Sequence, residues 1–273
     1  MKIVKWEELP AEMQTEDVKK YYDILKKKKC SLVFKRLFDI FVSAVMLVVL
    51  SPLFLVLAIA IKLDSKGPVF YRQVRITQYN KKFRIFKFRS MVQDADKGSQ
   101  VTVSGDSRIT RVGRFVRKCR LDEICQLIDV FCGSMTFVGT RPEVPKYVEK
   151  YTDEMNATLL MRAGVTSLAS IYYKDEAELL DSAEDTDKVY IEQILPGKMK
   201  YNLKAIERFG FWGDIKLLFM TVFAVLGKKY EDKESKNELN AVEEEKGIDA
   251  EQVVVEEENK EAKSTDEAVE IAN

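Results

Sequence analysis

The sequence contains no histidine in its 273 residues. Without an imidazole the chain cannot build a Ser-His-Asp or Cys-His nucleophilic site, and it cannot hold zinc through histidine. Cysteine is scarce as well: Cys30, Cys119, Cys125 and Cys132 form no CxxC pair and no recognisable disulfide framework. We therefore expect reduced thiols, and we expect any polar chemistry to depend on carboxylates, cations or a hard metal ion.

Net charge is also absent, because 44 Lys and Arg residues balance 44 Asp and Glu residues. The balance hides two segments of opposite sign. Residues 228–273 carry seven Lys against 16 Asp and Glu, a net charge of −9, and we predict a disordered acidic tail there. Residues 62–120 carry 16 Lys and Arg against four acids. Such a field attracts the phosphates of a nucleotide, a nucleic acid or the anionic cytoplasmic leaflet.

Charged side chains are missing from residues 40–61, an apolar stretch long enough to span a hydrocarbon core of about 30 Å. Ser51-Pro52 interrupts it near the middle. Proline lacks an N–H and its ring displaces the carbonyl four residues earlier, which predicts a kink, and the Ser51 hydroxyl is a suitable partner for the freed carbonyl. Lys and Arg flank both ends, whereas a spanning helix shows that excess on its cytoplasmic side only. Two interpretations stay open: a single span with a tolerated proline, and a re-entrant helix that returns to the same face.

Two strands are predicted after this stretch. Gly67-Pro68 makes a turn, and the β-branched and aromatic run at residues 69–76 indicates a strand. Residues 83–89 indicate a second strand after a short polar connection, so a β-hairpin is expected. Lys87 and Arg89 lie two residues apart and share one face of the second strand, which fits either a solvated edge or a basic site.

A pair of acids follows a row in which arginine recurs at every third position from residue 108 to 117. Leu121-Asp122-Glu123 precedes an apolar-periodic helix. In the simplest interpretation Asp122 caps this helix and Glu123 is a first-turn acid favoured by the macrodipole. The alternative is that Asp122 and Glu123 take part in catalysis.

The remaining segments are predicted to be mostly helical. Residues 133–145 form a loop punctuated by glycine and proline, residues 146–161 a helix, and residues 163–173 a short extended piece. Residues 196–227 form a mainly helical end, whose apolar run at residues 215–226 is too short to span and either lies in the interface or packs on the body. A helix is also predicted near the N-terminus from four residues at helical spacing: Val18, Tyr21, Tyr22 and Leu25.

Taken together and in order, these pieces resemble the bacterial sugar transferases, the monotopic polyprenyl-phosphate phosphoglycosyl transferases. The resemblance covers residues 34–226. The matching motifs are KRLFDI with the broken helix at Ser51-Pro52, GPVFYRQVR, KFRSM, GDSRITRVGRFVR, LDE with Gln126 behind it, GSMTFVGTRPE, AGVTSLASI and ILPGK. The chain departs from the usual pattern at Thr77, where glycine is common, at Thr140, where the first proline of GPRP stands, and at Ala163, where a proline precedes Gly164.

The resemblance implies an α+β fold that is mainly helical, with a re-entrant membrane helix kinked at Ser51 and Pro52, a small β-hairpin and interfacial amphipathic helices. Together with the N-terminal helix and the acidic tail predicted from spacing and composition, it gives four parts: a helical preface (1–33), the re-entrant helix (34–64), a cytosolic transferase domain (65–227) and the disordered acidic tail (228–273). The expected location is the bacterial inner membrane, with the catalytic domain on its cytoplasmic face.

The resemblance also implies an activity, the transfer of a phosphosugar from a UDP-sugar to a polyprenyl phosphate with release of UMP. Asp122 matches the nucleophile, which a helix start would keep ionised, and Glu123 would help it to hold Mg²⁺. The expected partners are the UDP-sugar, polyprenyl phosphate and membrane lipid, but no nucleic acid, and a homo-oligomer is left open. The residues that match substrate-binding positions are Lys87, Arg89, Arg117, Arg141 and Pro142.

Two other classes of protein are alternatives to this activity. A membrane-anchored nucleic-acid binder would explain the basic segment, but no helix-turn-helix or RNA-binding motif is visible in the sequence. A non-catalytic scaffold recruited through the acidic tail is disfavoured because the Asp122-Glu123 pair and the basic positions are intact.

Overall fold

The computed structural model describes residues 3–93, 107–173, 185–228 and 230. They are mainly helical around two small two-stranded sheets, which confirms the coarse fold prediction. Up to Lys228 they belong to one compact unit. The acidic tail predicted at residues 228–273 lies almost entirely outside the described residues.

The first long element is α1 (Glu16–Lys27), which packs onto the rest of the unit. Thr15 caps it, because its hydroxyl accepts a hydrogen bond from the backbone N–H of Val18 at 3.4 Å. The four apolar residues that predicted this helix are all buried, and they share a core with Leu160 and Ile206. The predicted helix is therefore confirmed, and its apolar face is covered by later parts of the chain.

The apolar stretch forms two helices, α2 (Lys29–Val49) and α3 (Ser51–Asp64), with a bend of 61° between them. The Ser51 hydroxyl donates to the carbonyl of Val48 at 2.7 Å. Val48 lies four residues before Pro52, so its carbonyl is the one that proline deprives of a partner, and the predicted kink and its partner are confirmed. Within the described ranges no single helix is long and apolar enough to cross a membrane, whereas this bent pair has the required length and composition.

The predicted hairpin consists of β1 (Phe70–Thr77) and β2 (Lys81–Phe88), joined by a turn at Gln78–Asn80. The strands pair antiparallel, with Tyr71 opposite Lys87 near the open end. The next elements are α4 (Arg111–Lys118), a 3-10 turn (Leu121–Glu123), α5 (Gln126–Cys132) and β3 (Met135–Val138).

The prediction of a loop at residues 133–145 is wrong for β3, whose four residues are all buried. Glycines on both sides concealed a strand this short. β3 pairs in parallel with β4 (Ala163–Thr166), which confirms an extended piece there. The two segments approach so closely that a Cβ on Gly164 would lie 2.2 Å from the backbone of Gly139, so glycine is required at this crossing.

The prediction of one helix over residues 146–161 is also wrong. α6 (Pro145–Val148) is a single turn, and a 3-10 segment (Met155–Leu160) follows after an irregular stretch. The cause is local, because the Thr152 hydroxyl accepts from the N–H of Met155 at 3.3 Å and starts a new turn.

The extended piece predicted at residues 163–173 is wrong beyond β4, because α7 (Leu168–Tyr172) starts there, where the Ser167 hydroxyl accepts from the N–H of Ser170 at 3.0 Å. After it come α8 (Thr186–Val189) and a π-helical turn (Tyr190–Ile194). The helical end predicted at residues 196–227 is confirmed by α9 (Leu195–Glu207) and α10 (Phe211–Val225). Leu217 and Leu218 of α10 pack against the core beside β3, while Trp212 and Phe219 are 79% and 63% exposed. The apolar run at residues 215–226 therefore packs on the body through one face and leaves the other uncovered.

Polar side chains anchor the first half of α2 to this body. Lys35 pairs with Asp214 of α10 at 2.5 Å, and both side chains are largely buried. Arg36 donates to two carbonyls at the end of α5, at 2.7 and 2.9 Å. Asp39 accepts from the Thr136 hydroxyl of β3 at 2.6 Å. The start of the bent pair is therefore fastened to the sheet and helices that follow it.

Candidate functional site

The two acids singled out in the sequence lie on the 3-10 turn between α4 and α5. The turn follows Arg120, whose left-handed backbone (φ 54°) redirects the chain. α5 starts at Gln126, and its N-cap residue is Cys125 rather than either acid. The interpretation of Asp122 as the cap of this helix is therefore wrong.

Glu123 is the centre of an ion-pair cluster that joins three parts of the chain. Lys87 of β2 donates to its Oε1 at 3.1 Å. Arg141, in the loop after β3, donates through two nitrogens: Nη1 lies 3.1 Å from Oε2, and Nη2 contacts Oε1. Burial alone would raise the pKa of Glu123, but Arg141 and Lys87 outweigh it and hold that pKa well below its ordinary value. Glu123 is therefore a fixed negative charge whose oxygens are already engaged.

Asp122 lies beside this cluster in a different electrostatic setting. Among the described residues no side chain hydrogen-bonds to its carboxylate, although the charges of Lys87 and Arg117 stabilise its ionised form. Partial burial, and then the charge of Glu123, raise the pKa of Asp122 above its usual value. The expectation that a helix start would keep Asp122 ionised is thus wrong in its physical reason, because the residue sits in a half-buried turn. Its oxygens are available to react or to bind a cation.

Backbone contacts on both sides hold Arg141 in place. The Thr140 carbonyl accepts from the N–H of Gly164 at 2.8 Å, and the Pro142 carbonyl accepts from Nη1 of Arg75 at 3.1 Å. Pro142 lies next to the cluster and supports this loop. Arg75 is a supporting residue that sequence reasoning missed, and its only signal was its place in the basic segment.

Arg89 lies in a different set of contacts. Its guanidinium donates to the carbonyls of Ser65, Lys66 and Ile61 at 2.7, 2.9 and 3.3 Å, and to the Ser65 hydroxyl at 2.9 Å. These groups form the end of α3, so Arg89 fastens the end of the bent pair to the hairpin. Strand alternation predicted a shared face with Lys87, but β2 ends at Phe88 and the two side chains reach different partners.

Two residues at which the chain departs from the usual family pattern contact each other. The N–H of Ala163 donates to the Thr77 hydroxyl at 3.1 Å, and that hydroxyl donates to the Ser134 carbonyl at 2.7 Å. A proline at residue 163 would offer no N–H, and a glycine at residue 77 would offer no hydroxyl. Thr77 and Ala163 therefore make a hydrogen bond that the usual glycine and proline could not make. Through the Thr77 hydroxyl, the hairpin is bonded to Ala163 of β4 and to Ser134, the residue before β3.

Comparisons with known proteins identify the family of the chain. The family described as bacterial sugar transferase matches residues 30–228. A UDP-glucose:undecaprenyl-phosphate glucose-1-phosphate transferase from Klebsiella pneumoniae is 38% identical over 199 residues, which cover 71% of this chain and 40% of that protein. A UDP-N-acetylgalactosamine-undecaprenyl-phosphate N-acetylgalactosaminephosphotransferase from Aeromonas hydrophila is 34% identical over 196 residues, 70% of this chain and 43% of that protein.

A shorter relative is covered more fully. The exopolysaccharide production protein PSS from Rhizobium leguminosarum bv. phaseoli is 41% identical over 148 residues, 51% of this chain and 74% of that protein. The chain spans about two fifths of the length of the Klebsiella and Aeromonas proteins. Because the family match covers well over half of the chain, from the first turn of α2 through the Glu123 cluster to the end of α10, this chain belongs to the bacterial sugar transferase family.

Proposed function

We propose that this chain transfers a phosphosugar from a UDP-sugar to a polyprenyl phosphate, with undecaprenyl phosphate as the acceptor, and releases UMP. The reaction would initiate a surface glycan. The observation that carries the proposal is the site in which Lys87 and Arg141 neutralise Glu123 and leave the Asp122 carboxylate open beside it. The relatives from Klebsiella and Aeromonas are named for this class of reaction.

Asp122 is the proposed nucleophile. One of its oxygens attacks the phosphorus that carries the sugar, the bond from that phosphorus to UMP breaks, and UMP leaves with the electron pair. The phosphosugar stays on Asp122 as an acyl phosphate. An oxygen of the polyprenyl phosphate then attacks the same phosphorus and restores the carboxylate. The raised pKa of Asp122 supports this role, because it makes the carboxylate more basic than an exposed one.

Cations around the site allow the Asp122 carboxylate to approach the diphosphate of the UDP-sugar. A carboxylate and a diphosphate repel each other, so the charge that develops must be neutralised by groups already in place. Lys87, Arg117 and Arg141 act on the two acids, with Lys87 and Arg141 bound directly to Glu123. Glu123 would keep these cations oriented before the substrate arrives.

Mg²⁺ fits this site in one arrangement. Within the described residues no group of three or more Cys, Asp or Glu side chains could hold a metal ion by itself. Mg²⁺ commonly uses one or two carboxylates together with substrate phosphates and water. Asp122 would be its protein ligand, whereas the oxygens of Glu123 are engaged by Lys87 and Arg141. When bound, Mg²⁺ would neutralise negative charge on the diphosphate.

The bent pair is proposed to be re-entrant, which would place the site at the depth of lipid phosphates on the cytoplasmic face of the bacterial inner membrane. Its start is fastened through Lys35 to α10. Its end is fastened through Arg89 to β2 and through Asp64, which accepts from the N–H of Val112 in α4 at 2.8 Å. Both ends are thus bonded within one compact unit, which supports a re-entrant path over a single span.

The proposal is tested by incubating the purified protein in lipid nanodiscs with undecaprenyl phosphate and a panel of UDP-sugars. UMP should be released with at least one sugar, and the phosphosugar should appear on the lipid. With labelled UDP-sugar and no acceptor, label should remain on Asp122, and chelation of Mg²⁺ should prevent it. Release of UMP without any protein-bound label would reject the covalent intermediate. Salt-sensitive binding of DNA without UMP release would favour a nucleic-acid binder instead.

A further inference from the structure

A buried triad of polar side chains lies behind the Arg141 loop and has no role in the reaction as proposed. The Tyr190 hydroxyl donates to Oε1 of Glu143 at 2.6 Å. Nζ of Lys198 donates to that hydroxyl at 3.0 Å and lies 3.6 Å from the same carboxylate oxygen. Glu143, Tyr190 and Lys198 are 7%, 6% and 5% exposed. Buried charges are costly unless they are paired, so this arrangement calls for an explanation.

The triad joins the Arg141 loop to the π-helical turn and α9. Glu143 is two residues beyond Arg141, and its carbonyl accepts from the N–H of Ile76 in β1 at 3.0 Å. Tyr190 opens the π-helical turn, a rare element that frequently marks functional sites. Lys198 belongs to the ILPGK motif, which the sequence singled out and the proposed reaction leaves without a task.

Close packing surrounds the residue before Lys198. A Cβ on Gly197 would lie 2.0 Å from the Tyr173 hydroxyl, so a larger residue there would displace the Tyr173 side chain.

Electrostatics explains why Glu143 needs partners of its own. Its charge already acts on Arg75: burial lowers the pKa of Arg75, and Glu143 opposes that shift. Arg141 is close enough to Arg75 to add to the lowering. A Glu143 carboxylate without Tyr190 and Lys198 would compete with Glu123 for Arg141, since buried charges attract each other strongly.

We propose that Glu143, Tyr190 and Lys198 form a positioning triad that holds the Arg141 loop and keeps Arg141 paired with Glu123. The inference deepens the proposed function and rests on it, because the triad serves the same cluster. None of the three residues contacts the reacting atoms. They act through Arg141, whose guanidinium must stay aligned with the carboxylate of Glu123, next to the proposed nucleophile Asp122.

The chain offers a matched pair of variants for the test. Tyr190→Phe removes the hydroxyl bound to Glu143, and Tyr147→Phe makes the same change on the neighbouring ring, 4.6 Å away, whose hydroxyl donates to Asp187. Tyr190→Phe should lower kcat/KM for the UDP-sugar about tenfold, the loss from one hydrogen bond to a charged group. Tyr147→Phe should change it less than about twofold. Equal losses in the two variants would overturn the inference.

A double-mutant cycle separates positioning from a general structural role. In an Arg141→Lys background, which has already lost the two-nitrogen contact, Tyr190→Phe should cause little further loss of activity. Lys198→Met should behave like Tyr190→Phe, and Lys198→Arg should restore most of the activity. The same tenfold loss in both Arg141 backgrounds would overturn the inference.

A readout that needs no turnover completes the experiment. Arg141 should react severalfold faster with an arginine-specific dicarbonyl reagent in Tyr190→Phe and Lys198→Met than in wild type or Tyr147→Phe, as measured by peptide mass. Unchanged Arg141 reactivity would overturn the triad. If the wild type released no UMP, the proposed function would fail, while Arg141 reactivity would still decide the role of the triad.

Discussion

Replacement of Arg89 by methionine should destabilise the protein and leave substrate binding intact. Methionine keeps much of the stem but removes the guanidinium, which makes three contacts of 2.7–2.9 Å and one of 3.3 Å at the end of α3. Hydrogen bonds to charged groups contribute about 1.5–3 kcal/mol each and are not additive. Part of the loss is offset because a cation no longer needs to be buried. We expect a net loss of about 3–5 kcal/mol, or a fall of about 10 °C in Tm for a unit of this size.

The assay is thermal unfolding in detergent micelles together with UDP-sugar kinetics below the transition. Arg84→Met is the matched control, because Arg84 lies exposed on β2, five residues before Arg89, and makes one contact of 3.4 Å to the Arg72 carbonyl. The control should unfold within a few degrees of wild type. An Arg89→Met protein with an unchanged Tm and a strongly raised KM would refute the reasoning. It would return Arg89 to the substrate-binding role that the sequence predicted.

Four further outcomes are expected. Asp122→Asn should abolish UMP release and protein labelling with little change in Tm, and full activity in this variant would remove Asp122 from the mechanism. The pKa of Glu123 is depressed, so its ion pairs should stabilise the folded protein at pH values above 4.5, the ordinary pKa of this side chain. That stabilisation should be lost as the pH falls below 4.5. Glu123→Gln should therefore flatten the acid side of a plot of Tm against pH, and an unchanged slope would contradict the ion-pair cluster. Pro52→Leu should straighten the bent pair, which impermeant thiol labelling of cysteines engineered on either side of it would report as a change of sidedness. Ala163→Pro should cost about 1 kcal/mol or more, and together with Thr77→Gly it should cost less than the sum of the two single losses, whereas additive losses in Tm would argue against their shared hydrogen bond.

The parts of the fold that sequence reasoning reached are those determined by neighbouring residues. The kink needed only Pro52, the carbonyl four residues before it and the Ser51 hydroxyl, all within one helical turn. The hairpin likewise followed from a local run of β-branched and aromatic residues. Asp122 and Glu123 were found because a resemblance pointed to them, whereas periodicity alone favoured a helix cap.

The parts that were missed depend on contacts between distant residues. Arg89 differs from Lys87 only in which carbonyls surround it, and those belong to residues 61–66. The partner of Glu143 lies 47 residues away at Tyr190. No periodicity carries such information, because it arises from how folded elements meet.

The proposed re-entrant path gives the bend in the apolar helices a consequence for lipid packing. α3 has 14 residues and the bend is 61°, so if both arms make equal angles with the surface, the vertex lies roughly 10 Å below the point of entry. That depth falls within one leaflet of a core about 30 Å thick. A re-entrant pair of this shape acts as a wedge, because it displaces lipid area in one leaflet and none in the other. Its insertion should then respond to curvature and to the lateral packing of that leaflet, and nanodiscs and small vesicles of equal composition should hold it with different affinity.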